Sequence, residues 1–103
     1  MFQSDLLKGK RILITGGGTG LGKSMGRRVL ELGATLVICG RREGVLEATK
    51  AEFDADFPDR TRAIPCDLRD PAAVDALVEA IWQEGPLDAL VNNAAGNFLA
   101  RSE

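Results

Sequence analysis

The stretch Arg11–Ser24, RILITGGGTGLGKS, decides how the rest of the chain is read. Ile12, Leu13 and Ile14 form a continuous apolar run, as expected of a parallel strand buried on both faces. Gly16, Gly17, Gly18 and Gly20 crowd the turn that follows, and Gly22 falls where a helix begins. Glycine lets the backbone take positive φ and lets another group approach closely. The first N–H groups of a helix have no partner within it, and the helix dipole favours negative charge there. Strand, glycine turn and helix start together predict a phosphate seat.

Outward from this turn, the chain alternates strands and helices. Strands are predicted over Lys10–Thr15, Ala34–Cys39, Arg62–Cys66 and Leu87–Val91, and helices over Gly20–Leu32, Glu43–Phe57 and from Pro71 to just before Gly85-Pro86. In the first helix Leu21, Met25, Val29 and Leu32 recur at helical spacing and predict the apolar face. Gly26 lies inside that helix, at a cost of ~1 kcal/mol relative to alanine, which a close helix–sheet contact explains. Gly33 is the expected residue past its C-terminus. The second helix should turn Leu46, Thr49 and Phe53 inward, and the third Val74, Leu77, Val78 and Ile81. Asp70 is the expected N-cap and Pro71 the first helical residue of the third. Pro65 places the third strand at an edge or marks its end. The βαβαβαβ order implies an α/β fold, a doubly wound parallel sheet with strand order 3-2-1-4. The crevice between the first and fourth strands then receives both the glycine turn and the turn Asn92–Asn97.

Composition narrows the function. The chain has 103 residues, 45% of them apolar, which suits one globular domain over 1–103. A net charge of −2 without a cluster of basic residues excludes a nucleic-acid footprint. Apolar runs are too short to span a membrane, and the first ten residues lack a secretory core. Cys39 and Cys66 fall near the ends of two strands that are candidate neighbours. They read either as a disulfide or as two small buried side chains in a reducing cytoplasm. The chain holds no histidine and no tyrosine, so these residues alone supply neither a His base nor a Tyr acid. No metal site is expected.

Two phosphate motifs compete for the glycine turn. Gly17–Ser24 fits GxxxxGK[ST], in which Lys23 would reach a nucleotide's terminal phosphates and Ser24 would hold Mg²⁺. The other pattern, Thr15-Gly16-x-x-x-Gly20-x-Gly22, resembles the signature of the short-chain dehydrogenase/reductase family. Asn92-Asn93-Ala94-Ala95-Gly96 is similar to that family's turn after strand four, and Asp67 to its acid after strand three. The resemblance implies a Rossmann-type fold and a nicotinamide cofactor. It assigns the cofactor to Thr15, Gly16, Gly18, Thr19, Gly20, Leu21 and Gly22, to Asp67 and Leu68, and to Asn93, Ala94, Ala95 and Gly96. The Asp67 carboxylate would accept from the adenine amino group.

Cofactor choice is read from the residues. An acid that would take a free ribose 2′-hydroxyl belongs ~20 residues beyond the turn. Gly40 stands there, eighteen residues past Gly22, followed by Arg41 and Arg42. A guanidinium fork pairs with a 2′-phosphate, so NADP(H) is expected. The alternative is that both arginines are simply solvated.

Within the family, GGGTGLGKSM, CGRRE, CDLRDP and NNAAGNF resemble the 2,4-dienoyl-CoA reductase branch. That resemblance implies an acyl-CoA thioester substrate. It assigns polarisation of the thioester carbonyl to Asn97, and acyl contacts to Phe98 and Arg69. Turn-stabilising, core and surface roles are the respective alternatives for these three. It also implies a tetramer. The family's Tyr-x-x-x-Lys pair is missing from the chain, and an apolar fourth strand at Leu87–Val91 would be a bare edge. The expectation is therefore the N-terminal, cofactor-binding part of a reductase about two to three times longer, inactive alone. A non-catalytic nucleotide-binding module is the reading from another class.

Overall fold

The structure is a computed structural model that describes residues 6–16, 18 and 20–93. It contains β1 (Arg11–Thr15), α1 (Gly20–Glu31), β2 (Thr35–Gly40), α2 (Glu43–Asp56), β3 (Thr61–Pro65), α3 (Pro71–Glu84) and β4 (Ala89–Asn92). The four strands are parallel, in the order β3-β2-β1-β4. This is the doubly wound, Rossmann-type arrangement expected from the alternation. β1 and β2 lie in the middle, and Ile12–Thr15 and Leu36–Cys39 are buried throughout, as strands covered on both faces must be.

Side chains alternate between two cores, as the two-residue period of a strand requires. Ile12, Ile14, Leu36 and Ile38 face α1 and α2, where they meet Leu30, Leu46 and Phe53. Leu13, Val37 and Cys39 face α3 and meet Cys66, Leu77 and Ile81. Pro65, which has no N–H to give, is the last residue of edge strand β3. Strand ends differ from the expected ones by one or two residues. β4 starts at Ala89 because Asp88 is held at the strand entrance: Arg11 N donates to Asp88 Oδ2 and Asp88 N to the Arg11 carbonyl, both at 2.8 Å.

Two helix faces differ from the periodicity. On α1 the buried residues are Gly22, Gly26 and Leu30, whereas Leu21 is 67% exposed. Met25 and Val29 flank the buried stripe, packed against the core; Leu32 falls past the helix end. Glycines let the helix backbone come down onto the sheet. A Cβ at Gly26 would lie 3.0 Å from Leu36 Cδ2 and 3.2 Å from Phe53 Cε2, which bears out the close contact expected there. On α3, Leu77 and Ile81 are buried and Val74 packs against them, but Val78 and Trp82 face out, 44% and 56% exposed. Asp70 caps α3 by accepting from Ala72 N at 3.1 Å, and Gly33, at φ +101°, follows α1.

Arginines close the helices at the starting ends of the strands. Arg11 donates to the carbonyls of Ile81 and Gly85 at the end of α3, each at 2.7 Å. Arg60 donates to those of Leu30, in the last turn of α1, and of Ala34 beyond it, at 2.6 and 2.7 Å. A guanidinium suits these orphan carbonyls and the negative end of the helix dipole. Among the described residues no helix is long and apolar enough to cross a membrane.

Cys39 and Cys66 are both buried and free, two small interior side chains and not a disulfide. Burial pushes the Cys39 thiol from 9.0 up to about 12. It also raises Cys66, with Asp67 and Asp70 adding to the shift. The folded state thus keeps these protons where the unfolded chain loses them. Their contribution to stability is complete below pH 9 and is lost as pH rises towards the folded value of Cys39. A disulfide-exchange reagent at pH 8 should therefore label neither thiol in the folded protein and both after denaturation; fast labelling of the native protein would contradict this burial.

Candidate cofactor site

The site is built at the opposite, C-terminal ends of the strands, beside β1, where the strand order turns back from β3-β2 to β4. Gly16 extends β1 by donating its N–H to the Cys39 carbonyl at 2.9 Å, then turns the chain at φ +67°. Gly20 starts α1 at φ +57°, with open space where a Cβ would be. Gly22 is the tightest point. A Cβ there would overlap the Gly16 carbonyl and lie 2.5 Å from Asn93 Nδ2. The first turn of α1 carries no acidic side chain, so nothing on the helix neutralises its positive end.

The turn is stitched to the end of β4. Thr15 Oγ1 accepts from the Asn93 N–H at 2.8 Å and lies 3.0 Å from Asn92 Oδ1. Asn93 Nδ2 donates to the Gly16 carbonyl at 3.4 Å. Thr15, Gly16, Gly22 and Asn93 are therefore brought together, and Asn92, part of the expected turn but not assigned to the cofactor, joins them. Thr15 is 2% exposed, and a hydroxyl that far inside must find partners. Gly18 is buried on the other side of the turn, against Val45 and Leu46. Leu21 stands outside the packed face.

Arg41 and Arg42 follow β2 and are both exposed. Arg42 is the N-cap of α2 and gives it no side-chain hydrogen bond. Asp67 follows β3. Arg69 grips its carboxylate, with Nε 3.1 Å from Oδ1 and a terminal nitrogen 3.2 Å from Oδ2, and the Arg69 N–H adds a third bond at 3.0 Å. Those bonds, and the charges of Arg69 and Arg41, hold the Asp67 carboxyl below the usual carboxylate range. Leu68 is half-buried against the α3-side core. Thr19, Ala94, Ala95, Gly96, Asn97 and Phe98 lie outside the described residues.

Lys23 bears on the competing motif. Its Nζ pairs with Glu52 Oε1 on α2 at 2.7 Å, and Ser24 is exposed on α1. Neither is gathered at the turn as a triphosphate–Mg²⁺ site requires. Among the described residues no group of three metal-ligating side chains comes together. A cleft of about 360 Å³ does open at the other end of the sheet, between Arg11, Arg60, Arg62 and Glu84. Its cations are already committed: Arg11 and Arg60 to helix carbonyls, and Arg62 to Glu84 at 2.6 Å.

Comparisons with known proteins agree with this geometry. The family model for short chain dehydrogenases matches residues 10–103. A probable 2,4-dienoyl-CoA reductase of Bacillus subtilis is 43% identical over 95 residues, covering 91% of this chain and 37% of that protein. The chain thus spans a little over a third of that relative's length. Among solved structures, a citronellol catabolism dehydrogenase of Pseudomonas aeruginosa superposes with a TM-score of 0.87 at 36% identity, over 100% of this chain and 43% of that one. L-sorbose reductase from Gluconobacter frateurii, solved with NADPH and L-sorbose, superposes with a TM-score of 0.84 at 29% identity, over 91% and 36% of the two chains.

Proposed function

Since this chain belongs to the short-chain dehydrogenase family, we propose that it is the cofactor-binding part of an NADP(H)-dependent reductase acting on an unsaturated acyl-CoA thioester. The single observation carrying the cofactor choice is the end of β2. Gly40 offers no carboxylate to a ribose hydroxyl, and Arg41 and Arg42 stand exposed beside it. A guanidinium there complements a 2′-phosphate. The cradle fits a pyrophosphate: Gly16 and Gly20 adopt positive φ, the space over Gly20 is open, and α1 begins without an acidic side chain.

When bound, NADPH supplies a hydride. The chain's own part is to hold and orient it. Gly16 makes the turn, and backbone N–H groups from Gly18 to Gly22, with Thr19 and Leu21, take the pyrophosphate. Thr15 and Asn93 keep the turn locked to the end of β4, with Ala94, Ala95 and Gly96 beyond. Asp67, kept ionised by Arg69, accepts from the adenine amino group, with Leu68 beside it. On the substrate side Asn97 donates to the thioester oxygen as negative charge develops there, and Phe98 lies against the acyl chain. Arg69 is assigned to Asp67 by its hydrogen bonds; a second contact to the acyl group rests on family resemblance alone. The similarity to a dienoyl-CoA reductase supports this substrate class. The similarity to L-sorbose reductase favours, as a second reading, a carbonyl substrate with the same cofactor. A tetramer and a cytoplasmic setting complete the proposal.

Titration with both dinucleotides tests it. NADPH should bind at least about tenfold more tightly than NADH, on the strength of one charge-assisted pair of 1.5–3 kcal/mol. Tighter binding of NADH would overturn the assignment. Turnover of a 2,4-dienoyl-CoA, set against a simple ketone or sugar substrate, separates the two readings in the full-length enzyme.

A further inference from the structure

Thr49 is the one side chain of the α2 core face that carries a hydroxyl into the interior. It is 3% exposed, between Leu46 and Phe53. A helical threonine ordinarily returns its hydroxyl to the carbonyl one turn earlier. Thr49 instead donates to the Gly18 carbonyl, 31 residues back, at 2.7 Å and fully inside the protein. The same residue of the turn is packed closely on α2. A Cβ on Gly18 would sit 3.0 Å from Val45 Cγ1 and 3.5 Å from Leu46 Cδ2. Three positions on one helix therefore grip the middle of the glycine turn. The same helix starts from Arg42, its N-cap.

We propose that Thr49 is a positioning residue for the cofactor: it fixes the glycine turn to α2 so that the pyrophosphate seat and the Arg41–Arg42 pair are presented at one set separation. This rests on the NADP(H) reading above and adds to it the residue that sets the geometry from behind. A ligand with phosphates at two ends gains most from a rigid spacing, because misplacing either seat loses both sets of contacts. Thr49 touches no part of the ligand in this account.

Three proteins test it: wild type, Thr49→Val, which keeps the shape and removes the hydroxyl, and Thr49→Ser, which keeps the hydroxyl. Each is titrated with NADPH and with adenosine 2′-monophosphate, which reaches the arginines but has no pyrophosphate. Thr49→Val should weaken NADPH by roughly 5- to 10-fold, the scale of one buried hydrogen bond, and should leave adenosine 2′-monophosphate within about twofold. Thr49→Ser should restore NADPH affinity even if its thermal midpoint is lowered by the missing methyl. Equal NADPH affinity in wild type and Thr49→Val overturns the role of Thr49 and leaves the cofactor reading standing. A parallel loss for both ligands overturns it too, as that marks a general structural defect. Should Thr49→Val not fold, Thr49→Ala carries the same comparison without a methyl against the Gly18 carbonyl. A wild-type protein that binds neither NADPH nor NADH overturns the cofactor reading itself, and this role with it.

Discussion

Gly22→Ala is expected to lose cofactor binding and much of the protein's stability together. The added Cβ has nowhere to go: it would overlap the Gly16 carbonyl and crowd Asn93 Nδ2 at 2.5 Å. Both neighbours are fixed, Gly16 by its bond to the Cys39 carbonyl and Asn93 by its bond to Thr15. Backbone cannot swing aside as the tip of a flexible side chain can. Forced overpacking of this kind costs about 1–3 kcal/mol and sometimes more. The turn that must yield is also the proposed pyrophosphate seat, so NADPH affinity should fall by roughly 100-fold or more. Urea unfolding and a cofactor titration on the same sample measure the two losses. Gly20→Ala is the internal comparison. It places a Cβ in open space and costs only the left-handed conformation at φ +57°, about 1 kcal/mol. If the two substitutions behave alike, close packing at Gly22 is not what the position requires.

Gly40→Asp is expected to reverse the choice of dinucleotide while leaving the fold intact. A Cβ at Gly40 meets only Leu46 Cδ2, at 3.7 Å, an ordinary contact. Gly40 also lies outside the positive-φ glycines. Neither backbone nor packing demands a glycine here, which accords with the proposed 2′-phosphate beside it. A carboxylate placed there would accept from a ribose 2′-hydroxyl and repel a 2′-phosphate. Two like charges ~4 Å apart differ by about 1 kcal/mol in water and about 4 at the dielectric of a protein surface. The ratio of NADPH to NADH affinity should therefore fall by roughly 10- to 1,000-fold. An unchanged ratio would mean that the 2′ position is read elsewhere.

Much of this arrangement is legible in the residues. Apolar runs of four or five with glycine, proline and aspartate between them fix the alternation, and the handedness of crossovers then leaves few strand orders. Gly26 announced its close contact because a glycine within a helix otherwise only costs. Leu21 misled because periodicity assumes that the largest apolar residues mark the inner face. In α1 the glycines do so, since their lack of side chains brings the backbone to the sheet and rotates Leu21 outward. Val78 misled for a simpler reason. It borders the buried pair Leu77 and Ile81, and an apolar stripe on a helix can be wider than the sheet surface beneath it. In the candidate site, the glycine turn was legible from its spacing, and Asn93 from the resemblance of its turn to the family's. Thr49 was not, because its partner Gly18, 31 residues back, is brought to it only by folding; Arg69, assigned to the acyl group, holds Asp67 two residues before it. A threonine at a core position was the one available signal, since a buried hydroxyl must be satisfied.

Trp82 has a practical consequence. It is the chain's single tryptophan, it stands more than half exposed near the end of α3, and α3 runs from the crevice end of the sheet towards the arginine-capped end. The indole is a built-in optical label for the α3 flank, on the sheet face away from the phosphate turn. Its emission colour would shift to the blue if a polypeptide settled on that flank, so a change of assembly there can be followed without an added dye.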